Sequence, residues 1–255
     1  MSTPEAPPAK LAIVAALERE VWPLVKDWQV SGREHEGRKF KFFENENTVL
    51  VCGGIGAPAA RRATEAAIAL HQPTLVLSAG FAGALEAALQ VGTLFVPDIV
   101  INAQDGSRVE IGPGRRVLVS VAGIASVEQK RKLAKAYGAQ AVDMEAAAVF
   151  QGAQARGVRF SACKVISDEL EFELPSMAQF VGRDGQFRTG SFVGFVMLRP
   201  WLWPRVARLR KNSAVAAQKL GFWLGALARA LRSSKDTEKL ENFEAEAHPI
   251  SGAQV

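Results

Sequence analysis

Apolar residues in this chain come in short unbroken runs, and most runs hand over to a stretch with helical spacing. Leu11-Ala12-Ile13-Val14-Ala15-Ala16-Leu17 is apolar throughout, as a strand covered on both faces is. Glu18 to Leu24 follows as a short helix, with Pro23 in an early turn where its missing N–H is tolerated. Lys39 to Phe43 and Thr48 to Cys52 read as strands joined by a turn at Asn45–Asn47. The same reading gives a helix from Ala57 to Leu70, strands at Thr74–Ser78, Leu94–Ile101 and Val117–Val121, and a charged helix at Val127–Tyr137. A turn-rich patch separates Ile101 from Val117, and Phe160 to Ile166 makes a further strand. Strands alternating with helices predict an α/β fold with a mainly parallel sheet. Beyond Leu170, Arg188 to Leu198 reads as a helix with Phe192, Phe195 and Val196 on one side, and Arg199 to Pro204 breaks it. A second helix runs from Arg205 to about Leu231, with Ala216, Leu220, Trp223, Leu227 and Leu231 at helical spacing.

The stretch from Gln140 to Phe150 changes character in the middle. Val142 and Met144 alternate as strand residues do, and the alanines after Glu145 favour a helix. Glu145 therefore falls in a first helical turn at the end of a sheet, where open α/β folds bind their ligands. The competing reading makes it a cap for its own helix. Gly53-Gly54-Ile55-Gly56, between a strand and a helix, has the arrangement that offers N–H groups to an anion. It lacks the full dinucleotide or Walker pattern, and a tight turn for close helix–sheet packing explains it equally well. Ala79 to Leu85 carries two glycines that let backbone approach a ligand. Glu20, Glu145 and Asp168 each end a separate apolar run, a set of carboxyl groups suited to acid/base work on a neutral substrate.

Length and composition narrow the classes. With 255 residues, 48% of them hydrophobic, the chain suits one large core, and residues 10–232 read as one domain. Residues 1–9 and 233–255 read as a disordered leader and tail. The formal charge of +5 is a mild bias that calls for no nucleic acid. Cys52 and Cys163 sit in apolar runs as thiols of a reducing compartment, and three scattered histidines make no metal cluster. No metal or cofactor is expected. Without a secretory pattern or an apolar run near ~18 residues, the protein is expected in the cytoplasm.

Four segments resemble the nucleoside phosphorylase and nucleosidase superfamily, most closely the methylthioadenosine/S-adenosylhomocysteine nucleosidases. They are Ala16 to Val21, Gly54-Ile55-Gly56, Ala79 to Leu85, and the pair Val142-Asp143-Met144-Glu145-Ala146 and Ile166-Ser167-Asp168. The resemblance spans about Leu11 to Leu170 and implies a three-layer α/β/α fold with a central mixed, mainly parallel sheet. It implies cleavage of the N-glycosidic bond of adenosine-type nucleosides, releasing adenine, by a homodimer. Glu20 would activate the attacking water, and a protonated Asp168, in a setting supplied by Ser167, would protonate purine N7. Glu145 would accept hydrogen bonds from the ribose hydroxyls beside Met144; Phe81, Ala82, Gly83, Ile124 and Ser167 would complete the substrate site.

The sequence also departs from that pattern. Phe81 stands where the nucleosidases have serine, and Ser120-Val121-Ala122-Gly123-Ile124 lacks their aspartate. Ser78 takes the place of the phosphorylases' phosphate-binding arginine, which favours water as the nucleophile; Arg19, Arg61 or Arg62 are the candidates to compensate. The helical extension at 188–232 resembles the hopanoid-associated phosphorylase branch, which implies an adenosylated lipid as the alternative substrate. Trp201, Trp203 and the cluster Arg205, Arg208, Arg210 and Lys211 suit a peripheral contact of residues 199–231 with the inner membrane surface, or a cationic outer face on a packed helix. A third reading is a non-catalytic nucleoside-binding or membrane-associated protein.

Overall fold

A computed structural model describes residues 11–173, 178–182 and 185–233; the expected leader and tail lie outside them, apart from Ser233. The strands are β1 (Leu11–Ala15), β2 (Gln29–His35), β3 (Arg38–Asn45), β4 (Thr48–Cys52), β5 (Leu75–Ala84), β6 (Leu94–Phe95), β7 (Ile99–Asn102), β8 (Arg108–Glu110), β9 (Val117–Ser120), β10 (Ala141–Asp143) and β11 (Arg159–Asp168). The helices are α1 (Glu18–Val25), α2 (Ala57–His71), α3 (Val127–Tyr137), α4 (Ala146–Gln154), α5 (Thr189–Met197) and α6 (Trp203–Ser233).

All the strands join one mixed sheet in the order β2-β3-β4-β1-β5-β10-β9-β7-β8, with β11 pairing β5 and β6 off that path. Parallel pairings hold its centre (β4–β1–β5–β11 and β10–β9–β7), and antiparallel hairpins form the edges. Along β1 the side chains alternate between two packed faces. Leu11, Ile13 and Ala15 join Val21 and Val25 of α1 and Leu220, Leu224 and Leu227 of α6. Ala12 and Val14 meet the alanines of α2 and Val149 and Ala153 of α4. This is the expected three-layer arrangement. Small residues let α2 and α4 pack closely: a Cβ added to Gly152 would fall 2.9 Å from the Thr64 side chain.

Several boundaries differ from the sequence reading. β5 runs on past the expected end at Ser78 through Ala79-Gly80-Phe81-Ala82-Gly83-Ala84, because it continues to pair with β11 on one side and reaches β10 on the other. The apolar run from Leu94 to Ile101 is two strands, since Pro97 has no N–H for a ladder and Asp98 turns the chain. β2 and β8 are polar edge strands with exposed residues, so no apolar alternation announces them. α6 begins at Trp203, with Pro204 in its first turn, and its buried residues continue the core begun by α1. Both thiols are free, Cys163 buried and Cys52 half-buried, and burial pushes each above its ordinary pKa.

Candidate active site

A cavity of about 160 Å³ opens at the C-terminal ends of β5, β10 and β11, and every residue expected at the substrate site lines it. β5 contributes Phe81, Ala82 and Gly83; the β10–α4 junction gives Met144 and Glu145; Ser167 and Asp168 end β11, Glu20 comes from α1, and Ile124 from the loop after β9. The β5–β11 register shifts between Ile166 and Asp168. In a regular strand Ser167 and Asp168 would face opposite sides, and this bulge brings both to the same wall.

Glu20 sits in the first turn of α1, 6% exposed, and its Oε2 has no hydrogen-bond partner among the described residues. That oxygen lies against Gly80, where an added Cβ would stand only 2.9 Å away. Burial, reinforced by the charge of Glu145, pushes the Glu20 carboxyl up to about 8, against the pull of Lys164 and Arg19.

Glu145 does not cap its own helix. Its Oε1 accepts the Gly56 N–H at 2.8 Å, which seats the carboxylate at the N-terminus of α2, and Oε2 accepts the Met144 N–H at 3.3 Å. Burial and the nearby Asp143 raise its pKa, with Lys164 and these two N–H groups opposing. The anion held at the glycine turn is thus the chain's own Glu145 carboxylate. Gly53, Gly54 and Ile55 donate to the carbonyls of Ala15, Ala16 and Gly185, and Gly56 donates to Glu145.

Asp143 caps α4 instead, its Oδ2 accepting the Ala146 N–H at 2.8 Å. The same oxygen pairs with Lys164 Nζ at 2.8 Å, and Lys164 also donates to Ser78 Oγ at 3.1 Å. Burial works to discharge this lysine, but Asp143 and Glu145 outweigh it and raise its pKa. Asp168 is paired as well. Its Oδ2 lies 2.5 Å from Lys130 Nζ, and its Oδ1 accepts from Ser167 Oγ at 2.7 Å. Ser167 thus contacts Asp168 as expected, and Lys130 adds a buried ion pair.

Lys130, Asp143 and Lys164 are the site residues that sequence reasoning passed over. A signal existed for Lys130. It precedes Leu133, Ala134 and Tyr137 by 3, 4 and 7 positions, so it lies on the inward stripe of α3. Lys164 was the one charge inside the apolar run from Phe160 to Ile166. Two of the four acids around the cavity, Asp143 and Asp168, pair with lysines, which leaves Glu20 and Glu145 as the carboxyls without a salt bridge among the described residues. They flank a space where positive charge would be welcome. Of the arginines named as compensating, Arg61 pairs with Glu65 at 3.0 Å, and Arg62 lines a different depression. Arg19 alone reaches this cavity, its guanidinium 5.4 Å from the centre of the Phe187 ring.

A second cavity of about 360 Å³ shares Arg19 and Phe81 with the first and continues between α5 and α6 along Phe187, Phe192, Val206 and Leu209.

A family model described as the phosphorylase superfamily matches residues 10–125 and 117–188. The 5′-methylthioadenosine/S-adenosylhomocysteine nucleosidase of Staphylococcus aureus (strain MRSA252) is 27% identical over 207 residues, covering 64% of this chain and 90% of that protein. Among solved structures, Arabidopsis thaliana 5′-methylthioadenosine nucleosidase aligns with a TM-score of 0.68 at 16% identity, over 90% of this chain and 98% of that one. Helicobacter pylori futalosine hydrolase aligns with a TM-score of 0.59 at 20% identity, over 82% of this chain and 94% of that one.

Proposed function

The chain belongs to the phosphorylase superfamily, and from that premise we propose that it hydrolyses the N-glycosidic bond of adenosine-type nucleosides and releases adenine. One observation carries the reading: a buried Glu20 oxygen, unpartnered among the described residues, lines the same cavity as Glu145 and Asp168. A buried carboxyl oxygen without a donor is costly unless a water or a substrate supplies one. Glu20, in its ionised form, takes a proton from water attacking the anomeric carbon. Glu145 holds the ribose hydroxyls, and both acids favour the positive charge that develops on the sugar. Asp168 hands a proton to the base, which leaves as neutral adenine. The fully engaged glycine turn and the Ser78–Lys164 bond offer phosphate no cluster of free donors, which favours water. Adenine release from 5′-methylthioadenosine is expected without phosphate, and Asp168→Asn is expected to lower it by about 10²–10⁴ while leaving nucleoside binding in place. Release that requires phosphate, or full activity in the variant, contradicts the proposal.

The second cavity favours one alternative, a phosphorylase for an adenosylated lipid whose apolar 5′ substituent passes Phe81 into the space between α5 and α6. Arg19, at the junction, would then be the phosphate ligand. Exposed Trp201, Trp203 and Leu198 beside Arg205 support a peripheral membrane contact for that substrate. No helix among the described residues is long and apolar enough to cross a membrane. The family resemblance alone supports a homodimer.

A further inference from the structure

Lys130 is the one inward lysine of a helix whose other charges face outward. Glu128 pairs with Lys132 and Arg131 with Glu171 on the exposed side of α3, whereas Lys130 is 1% exposed. An apolar side chain beside Leu133 and Ala134 would fill that position without the cost of desolvating an ammonium. The lysine is held by two fixed acceptors, Asp168 Oδ2 at 2.5 Å and the Glu169 carbonyl at 2.8 Å, and it reaches the cavity wall. Asp168 has a donor on each oxygen, Lys130 on Oδ2 and Ser167 on Oδ1. Both bonds run toward the carboxyl oxygens, so the nearest proton to Oδ2 is the one on Nζ.

We infer that Lys130 is a positioning residue and the proton source behind Asp168. This rests on the reading of Asp168 as the group that protonates the base. As the glycosidic bond breaks, its electron pair goes to the base, and one proton moves from Nζ through Asp168 Oδ2 to the ring nitrogen. Water gives its hydroxyl to the anomeric carbon and its proton to Glu20. Lys130 ends the step as a neutral amine and regains a proton from solvent once adenine has left. The pair thus acts as one acid, and its value depends on how badly the leaving group needs a proton.

That dependence supplies the test. Lys130→Met keeps most of the length and removes the proton; Lys130→Arg keeps the charge and the donors but does not release a proton. Each is assayed on 5′-methylthioadenosine and on p-nitrophenyl riboside, whose phenolate departs unaided. Both variants are expected to lose about 10²–10⁴ in kcat on the nucleoside and to stay within about threefold on the aryl riboside. A merely structural lysine predicts equal losses on both substrates, or rescue by arginine, and either result overturns the inference. Should Lys130→Met not fold, the arginine variant decides alone. A wild-type protein that cleaves the aryl riboside but no adenosine substrate sinks the proposed function. Wild-type nucleoside cleavage that survives in Lys130→Met sinks this inference alone.

Discussion

Replacing Glu20 with glutamine should stabilise the protein while stopping its chemistry, and the size of the effect follows from the buried carboxyl. Its pKa rises from 4.5 to about 8 because burial, and then the charge of Glu145, penalise the ionised form. A raised pKa means that the folded state binds the proton more tightly than the unfolded chain does. Stability from this group is therefore complete below the unfolded value and is lost as pH rises through the folded one. Between pH 5 and pH 9 the wild type should lose about 4 kcal/mol from Glu20 alone. Glutamine has no proton to lose, so Glu20→Gln should gain that amount on the wild type across the same range. Near the midpoint for a domain of this size, about 4 kcal/mol corresponds to a Tm shift of about 10 °C. Urea denaturation of both proteins at several pH values reads the difference, and adenine release reads the loss of turnover. Parallel stability curves from pH 5 to pH 9 would refute the burial argument, and a Glu20→Gln variant that still turns over would refute its role as base.

Two further outcomes follow. Gly83→Ala places a Cβ 2.9 Å from Asp168 Oδ2 and 3.3 Å from Lys130 Cε, so it should cut kcat at least about tenfold while costing about 1–3 kcal/mol of stability; unchanged kcat in a purified, folded variant would show that the pair tolerates displacement. If residues 199–231 touch a membrane, the wild type should co-sediment with anionic vesicles and a Trp201→Ala/Trp203→Ala variant should not; equal binding by the two assigns the basic start of α6 to solvent.

Much of the fold was legible because its central strands are nearly pure apolar runs. β1, β9 and the first half of β5 need no context to be recognised. Edge strands such as β2 pair through backbone alone, so their polar side chains carry no trace of the sheet. The carboxyl groups were readable as strand endings, but their electrical partners were not. Lys130 meets Asp168 across 38 positions of sequence, and Gly56 meets Glu145 across 89. Such contacts depend on how α3 and α2 settle on the sheet, and on a bulge at Ser167 that no local pattern announces.

The most direct test of a single nucleoside held by three acids is a structure of the protein with a bound adenine nucleoside analogue whose sugar ring carries a positive nitrogen. The cation is expected beside Glu20 and Glu145, with the base within hydrogen-bond reach of Asp168. An analogue bound away from this cavity, or lying with its base against Glu20, would contradict it.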